Sequence, residues 1–349
     1  MSEANLVEPL RVGFIGCGRH ATKMLYPSLH LARMDLAAVC DLDEAKARRN
    51  ARWFGAERTY ADYRRMLDDA LKDNPLEAVL VCTGAKTHAP LALECVERGL
   101  PVFVEKPPAL NLAQAEQLRQ RSEAANVPVM VGTMKRHALI YRRMKEIISA
   151  SDFGPPGAVE AKMGLGWKNC NGFALLLDAG IHLIDLLRFL MGEVVEVAYR
   201  KYEFDETRLS YVILLTFESG AVGSLAVSDQ QLWRRHNERV EVTGDGQFVI
   251  AENMIHLAHY RPDEEISSWE PGFSIPGDEN QYFFVAGYAG ELQAFARAIR
   301  EGQPVQASIA DACAALRIIK QIEPEEAYIK GPVDFGHWQS ENYWLQVDV

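Results

Sequence analysis

The chain has 349 residues, 48% apolar and 24% charged, which is enough for two soluble domains with a core each. Its net charge of −11, with no basic run longer than two residues, excludes a nucleic-acid footprint or an anionic-membrane partner. Six scattered cysteines without a CxxC pair and nine histidines without HExxH argue against a disulfide framework or a metal site.

MSEANLVEPL has acidic residues where a signal peptide needs a basic and then an apolar region, so a reducing cytoplasm is expected. From residue 11 strands and helices alternate. RVGFIGCG, DLAAVCD, LEAVLVCTG, PVFVEKPP and VPVMVGT are short, nearly continuous apolar strands. Between them HATKMLYPSLHLA, DEAKARRNARWFG, HAPLALECVERG and NLAQAEQLRQRSEAAN have helical periodicity. Such strands imply a parallel sheet covered on both faces, a doubly wound Rossmann domain over residues 1–133. Residues 134–349 predict a second, α+β domain with a large, mainly antiparallel sheet. Its strands are expected at 156–166, 193–203, 209–217, 220–229, 237–243 and 247–251. One strongly apolar helix, 174–190, interrupts them, and YAGELQAFARAIREG and ASIADACAALRIIKQI supply two late helices. The apolar stretch 174–192 is long enough to span a bilayer, but Asp178, His182, Asp185 and Arg188 within it predict a buried helix instead.

The first strand ends in Gly16-Cys17-Gly18-Arg19-His20-Ala21, a G-x-G-x-x-A turn. The first glycine permits the tight turn, the second lets backbone amides approach a pyrophosphate, and Ala21 is small enough for close helix–strand packing. Asp41 ends the second strand where a carboxylate would accept both ribose hydroxyls and repel a 2′-phosphate. NAD is therefore favoured over NADP; Arg19 is the residue that keeps NADP open. Asp43 reads as the cap of the next helix.

Lys106 stands at the carboxyl end of a parallel strand, the edge where ligands bind in such sheets, and Pro107 biases it toward extended backbone. Glu105 points to the opposite face and anchors the turn. On the apolar helix Asp178, His182 and Asp185 lie at about 0°, 40° and −20°, one narrow polar stripe. A buried helix carries such a stripe only where it faces a cavity or its own network. Asp185 reads as a network residue that orients His182.

The G-x-G-x-x-A turn, Glu105-Lys106-Pro107 and D-x-G-x-H-x-x-D at 178–185 together resemble the glucose–fructose oxidoreductase / inositol dehydrogenase / MocA family, over nearly the whole chain. The resemblance implies that Lys106 lies between nicotinamide and substrate, hydrogen-bonding the reacting oxygen. It implies that Asp178 binds a substrate hydroxyl and that His182 is the general base. Thr83, His88 and Glu105 fall where the family lines its cofactor cleft. Trp167, Lys168 and Tyr288 are candidates for the substrate wall, with domain packing as the alternative. Two departures are NGFALLL in place of a glycine-rich run and Lys135-Arg136 in place of the usual Asn/Arg pattern. The implied activity is hydride transfer between NAD and a hydroxyl-bearing carbon of a sugar, cyclitol or related polyol, in a homodimer or homotetramer formed through the second-domain sheet. The alternatives are a redox-assisted glycoside hydrolase and a non-catalytic cofactor-sensing regulator on the same fold.

Overall fold

In the computed structural model the described residues are 8–69, 72, 75–166, 170–205, 208–231, 237–262, 266–272, 274, 277 and 280–329. The first sheet contains β1 (Leu10–Ile15), β2 (Met34–Cys40), β3 (Arg58–Tyr60), β4 (Ala78–Val81), β5 (Val102–Glu105) and β6 (Val129–Gly132). All are parallel, in the order β3-β2-β1-β4-β5-β6. The short β3 went unread in the sequence because three half-buried residues carry no apolar run. This order reverses between β1 and β4, so a crevice opens beyond the carboxyl ends of those strands.

Helices α1 (Glu44–Phe54), α2 (Tyr63–Asp69), α3 (Ala85–Glu97) and α4 (Leu112–Ala125) cover the sheet. Asp43 caps α1 by accepting from the amides of Ala45 and Lys46, and Gly55 ends it with φ +82°. The segment after the glycine turn is less regular than expected. Ala21–Leu25 is a π-turn and Tyr26–Ser28 a 3₁₀ turn, with Pro27 at its start.

The second sheet holds β7 (Ala158–Gly164), β8 (Val194–Asp205), β9 (Arg208–Phe217), β10 (Val222–Ser228), β11 (Asn237–Thr243), β12 (Phe248–Glu252), β13 (His256–Tyr260) and β14 (Ile266–Trp269). It is antiparallel except where β7 and β10 run side by side in parallel. Inward Leu209, Tyr211, Ile213, Leu215 and Phe217 alternate along β9 with outward residues that include exposed Val212 and Leu214.

After β6 come a 3₁₀ turn (Met134–His137) and α5 (Leu139–Ile148). The expected apolar helix is continuous but not uniform: α6 (Gly172–Leu175), a π-turn (Leu176–Gly180) and α7 (Ile181–Met191). Its leucines and isoleucines are fully buried, which locates it between the two sheets' cores. The chain closes with α8 (Tyr282–Val285), α9 (Tyr288–Glu301) and α10 (Ile309–Ile322). Here it returns to the parallel sheet: Leu292 and Phe295 of α9 share a core with Val12, Phe14, Tyr26 and Phe103. Val131 N–H donates to Ala307 O at 2.8 Å just before α10 begins. These contacts hold α9 and the start of α10 to the first sheet, and α10 packs in turn on α7. No helix among the described residues is long and apolar enough to cross a membrane.

Candidate active site

The glycine turn is tight for a steric reason. Gly16 has φ +110°, and a Cβ there would lie 2.0 Å from the Cys82 carbonyl oxygen at the end of β4. A Cβ on Gly18 would meet nothing within 4 Å, so that side of the turn is open to a ligand. Cys17 turns its thiol inward, 3.3 Å from the Tyr26 hydroxyl, and burial pushes it up to about 11. The amide of Cys17 donates to Asp41 Oδ2 at 2.7 Å, and the amide of Asp43 donates to Oδ1 at 2.9 Å. Asp41 is thus clamped at the end of β2 with one lone pair left on each oxygen for a diol. The glycine cradle and this acceptor pair fit NAD. Arg19 and His20 are exposed on the turn, and Ala21 is fully buried against the sheet.

Thr83 follows β4 and His88 lies in the first turn of α3. His88 is buried with both ring nitrogens engaged: Nδ1–H donates to Pro107 O at 2.8 Å, and Nε2 accepts from the Thr83 amide at 3.2 Å. It braces the end of β4 against the Lys106–Pro107 peptide, which is cis. Burial lowers its basicity, in keeping with a neutral ring.

Glu105 is buried and anchors two segments. Its Oε2 accepts from the Lys106 amide at 3.0 Å, and Oε1 lies 3.2 Å from His20 Nε2 across the cofactor turn. Burial raises Glu105, but His20, followed by the Lys106 ammonium, brings it below the usual carboxylate range. Tyr288, at the start of α9, packs edge-on against His20 with ring centroids 5.6 Å apart. It therefore stands beside the cofactor turn.

Lys106 Nζ donates to the Asp178 carbonyl oxygen at 2.8 Å, so the two distant segments do converge. The acceptor lies inside the π-turn, a local irregularity of the kind often found at functional sites. Asp178 is buried, and its Oδ2 accepts from the Tyr328 hydroxyl at 3.0 Å. One turn further on, His182 is half-buried. Burial, then the cations of Lys106, Lys135 and His20, hold its basicity well below the ordinary histidine value. The imidazole is therefore neutral and able to accept a proton.

One expectation is overturned. Asp185 does not orient His182, whose Nδ1 is buried without a hydrogen-bond partner among the described residues. Asp185 instead receives a two-pronged contact from Arg136, at 2.6 Å from Nε and 2.7 Å from Nη2. The guanidinium from the turn after β6 claims the carboxylate with paired donors. Trp167 and Lys168 lie outside the described residues.

Three participants escaped the sequence reading. Tyr328 comes from the segment after α10, where no motif marks it. Lys135 is buried and donates to Glu238 Oε2 at 2.6 Å, with Tyr141 on the other carboxylate oxygen. It helps hold His182 neutral. Its charged partner on β11 is more than a hundred residues away, so only folding reveals the pair. Glu291, buried in the first turn of α9, is the third. Among the described residues no group of three His, Cys, Asp or Glu side chains is arranged to hold a metal ion.

The fold and cleft are those of an NAD-binding oxidoreductase. Residues 10–133 match the family described as "Oxidoreductase family, NAD-binding Rossmann fold", and residues 145–323 match its C-terminal alpha/beta domain. The chain belongs to this family, the glucose–fructose oxidoreductase / inositol dehydrogenase / MocA oxidoreductases. It is 27% identical to myo-inositol 2-dehydrogenase of Thermotoga maritima over 88% of this chain and 93% of that protein. It is 28% identical to scyllo-inositol 2-dehydrogenase (NAD(+)) of Bacillus subtilis, over 84% and 87% respectively. A dehydrogenase from Chromobacterium violaceum superposes with a TM-score of 0.82 at 25% identity, covering 91% of this chain and 96% of that one.

Proposed function

We propose that the protein is an NAD-dependent dehydrogenase that oxidises a hydroxyl-bearing carbon of a sugar, cyclitol or related polyol, reversibly. The observation that supports this reading is the 2.8 Å contact of Lys106 Nζ with the Asp178 carbonyl oxygen, one turn before His182. The two inositol dehydrogenases among its relatives support the substrate class.

His182 takes the hydroxyl proton, since its ring is held neutral and keeps a lone pair free to accept it. Lys106 donates to the oxygen as negative charge develops on it. Asp178, steadied by Tyr328, accepts a neighbouring hydroxyl and orients the ring. Bound NAD supplies the hydride acceptor. The test is reduction of NAD, followed by its absorbance, across a panel of sugars and cyclitols. Turnover accompanied by glycosidic cleavage and no net NADH would replace this reading with redox-assisted hydrolysis.

Preference for NAD over NADP rests on Asp41. Asp41→Ala should weaken NAD binding about ten- to a hundredfold, because it removes hydrogen bonds to a charged acceptor. It should also narrow the gap to NADP, as measured by the two kcat/KM values. An unchanged ratio would remove Asp41 from cofactor selection.

The outer face of the second sheet exposes Tyr202, Phe204, Val212, Leu214 and Val222 on three adjoining strands. Contiguous exposed apolar surface of this kind marks an interface, and we assign it to a second copy of the chain. Leu214→Asp should convert the oligomer to monomer in sedimentation velocity with the fold intact. An unaltered sedimentation coefficient would refute the assignment. All six cysteines are buried, and a cytoplasmic location is the one we assign.

A further inference from the structure

Glu291 lies in the first turn of α9, where this helix packs against the carboxyl edge of the parallel sheet. Its exposure is 0%, and neither carboxylate oxygen has a hydrogen-bond partner among the described residues. No lysine, arginine or histidine pairs with it there, whereas nearly every other buried acid of the region is paired: Asp185 with Arg136, Glu238 with Lys135, Glu105 with His20. An ionised carboxylate buried without a cation costs several kcal/mol or more, roughly the penalty for desolvating any lone ion. The ionisable groups acting on it or feeling its charge are Glu105 at the end of β5, Cys82 at the end of β4, and Tyr288 on its own helix. None is a cation. Burial, then the charge of Glu105, raises Glu291 well above the usual carboxylate range.

We infer that Glu291, buried and without a partner for either oxygen, carries a proton, so that of these two buried acids only Glu105 is charged. Glu105 bears that charge and is a positioning residue: through the Lys106 amide and His20 it ties the catalytic end of β5 to the cofactor turn. The negative charge of Glu105 also favours the oxidised cofactor, whose ring carries one more positive charge than the reduced form. The inference depends on the cofactor being NAD and is independent of the substrate, so its failure leaves the proposed dehydrogenase reading standing.

Two measurements test it. In infrared difference spectra at pH 7, wild type minus Glu291→Gln should show a protonated-carboxyl band. Loss of a carboxylate band instead would overturn the inference. Dissociation constants of NAD⁺ and NADH, read by titration of the apo-protein, form the second test. Glu105→Gln should shift their ratio toward NADH by about tenfold, the effect of one charge at moderate screening. Glu291→Gln should shift the ratio less than twofold, since it replaces a neutral group by a neutral group. A tenfold shift in Glu291→Gln would mean that Glu291 is the anion, and would overturn it equally. Should Glu291→Gln fail to fold, Glu291→Met carries the same two readouts.

Discussion

Lys106→Met is expected to lower kcat by about a hundred- to a thousandfold, the loss typical of removing one donor from a developing oxyanion. Nucleotide affinity should change little, because the glycine cradle and Asp41 are untouched. Stopped-flow hydride transfer and NAD titration on the same preparation separate the two quantities. The variant should also change the pH profile. Lys106 is the strongest of the charges that depress His182, so removing it should let the imidazole regain basicity. The acid limb of kcat/KM then moves upward toward the ordinary histidine value. A variant with wild-type turnover on the true substrate, or with an unmoved acid limb, would detach Lys106 from the chemistry.

His182→Asn should cost about a hundred- to ten-thousandfold in kcat, the usual contribution of a positioned general base. In the wild type the acid limb should lie below the ordinary histidine value, because burial and the cations of Lys106, Lys135 and His20 disfavour the imidazolium. The same depression has a stability consequence of fixed sign. Above the unfolded-state value of about 6.5 both states hold a neutral ring, and the stabilisation is fully present. As pH falls below it the unfolded chain binds a proton that the folded one refuses, so stability declines toward the lower folded value. His182→Asn removes this component, and its denaturant midpoint should fall less steeply than that of the wild type between pH 6.5 and 5. Parallel acid slopes for the two proteins would show that His182 titrates normally.

Much of the protein was written locally. Continuous apolar strands between helical segments dictate a parallel sheet. A glycine that must accept φ +110° beside the Cys82 carbonyl, and an acid at the end of the second strand, specify the nucleotide crevice. The buried apolar helix was legible too, with its ionisable residues Asp178, His182 and Asp185. What periodicity could not supply was which partner each of these residues would find. Asp185 is drawn away by the Arg136 fork, and Asp178 takes Tyr328 from the far end of the described chain. The carbonyl that holds Lys106 belongs to a π-turn, and nothing in the residue pattern of 176–180 announces that departure from regular helix. Lys135 and Glu238 look like ordinary surface charges until the core closes over both. Local sequence determines backbone conformation because steric and hydrogen-bonding constraints act over a few residues. The electrostatics of the site depend on which charges are desolvated together, and only the packing of one lobe on the other decides that.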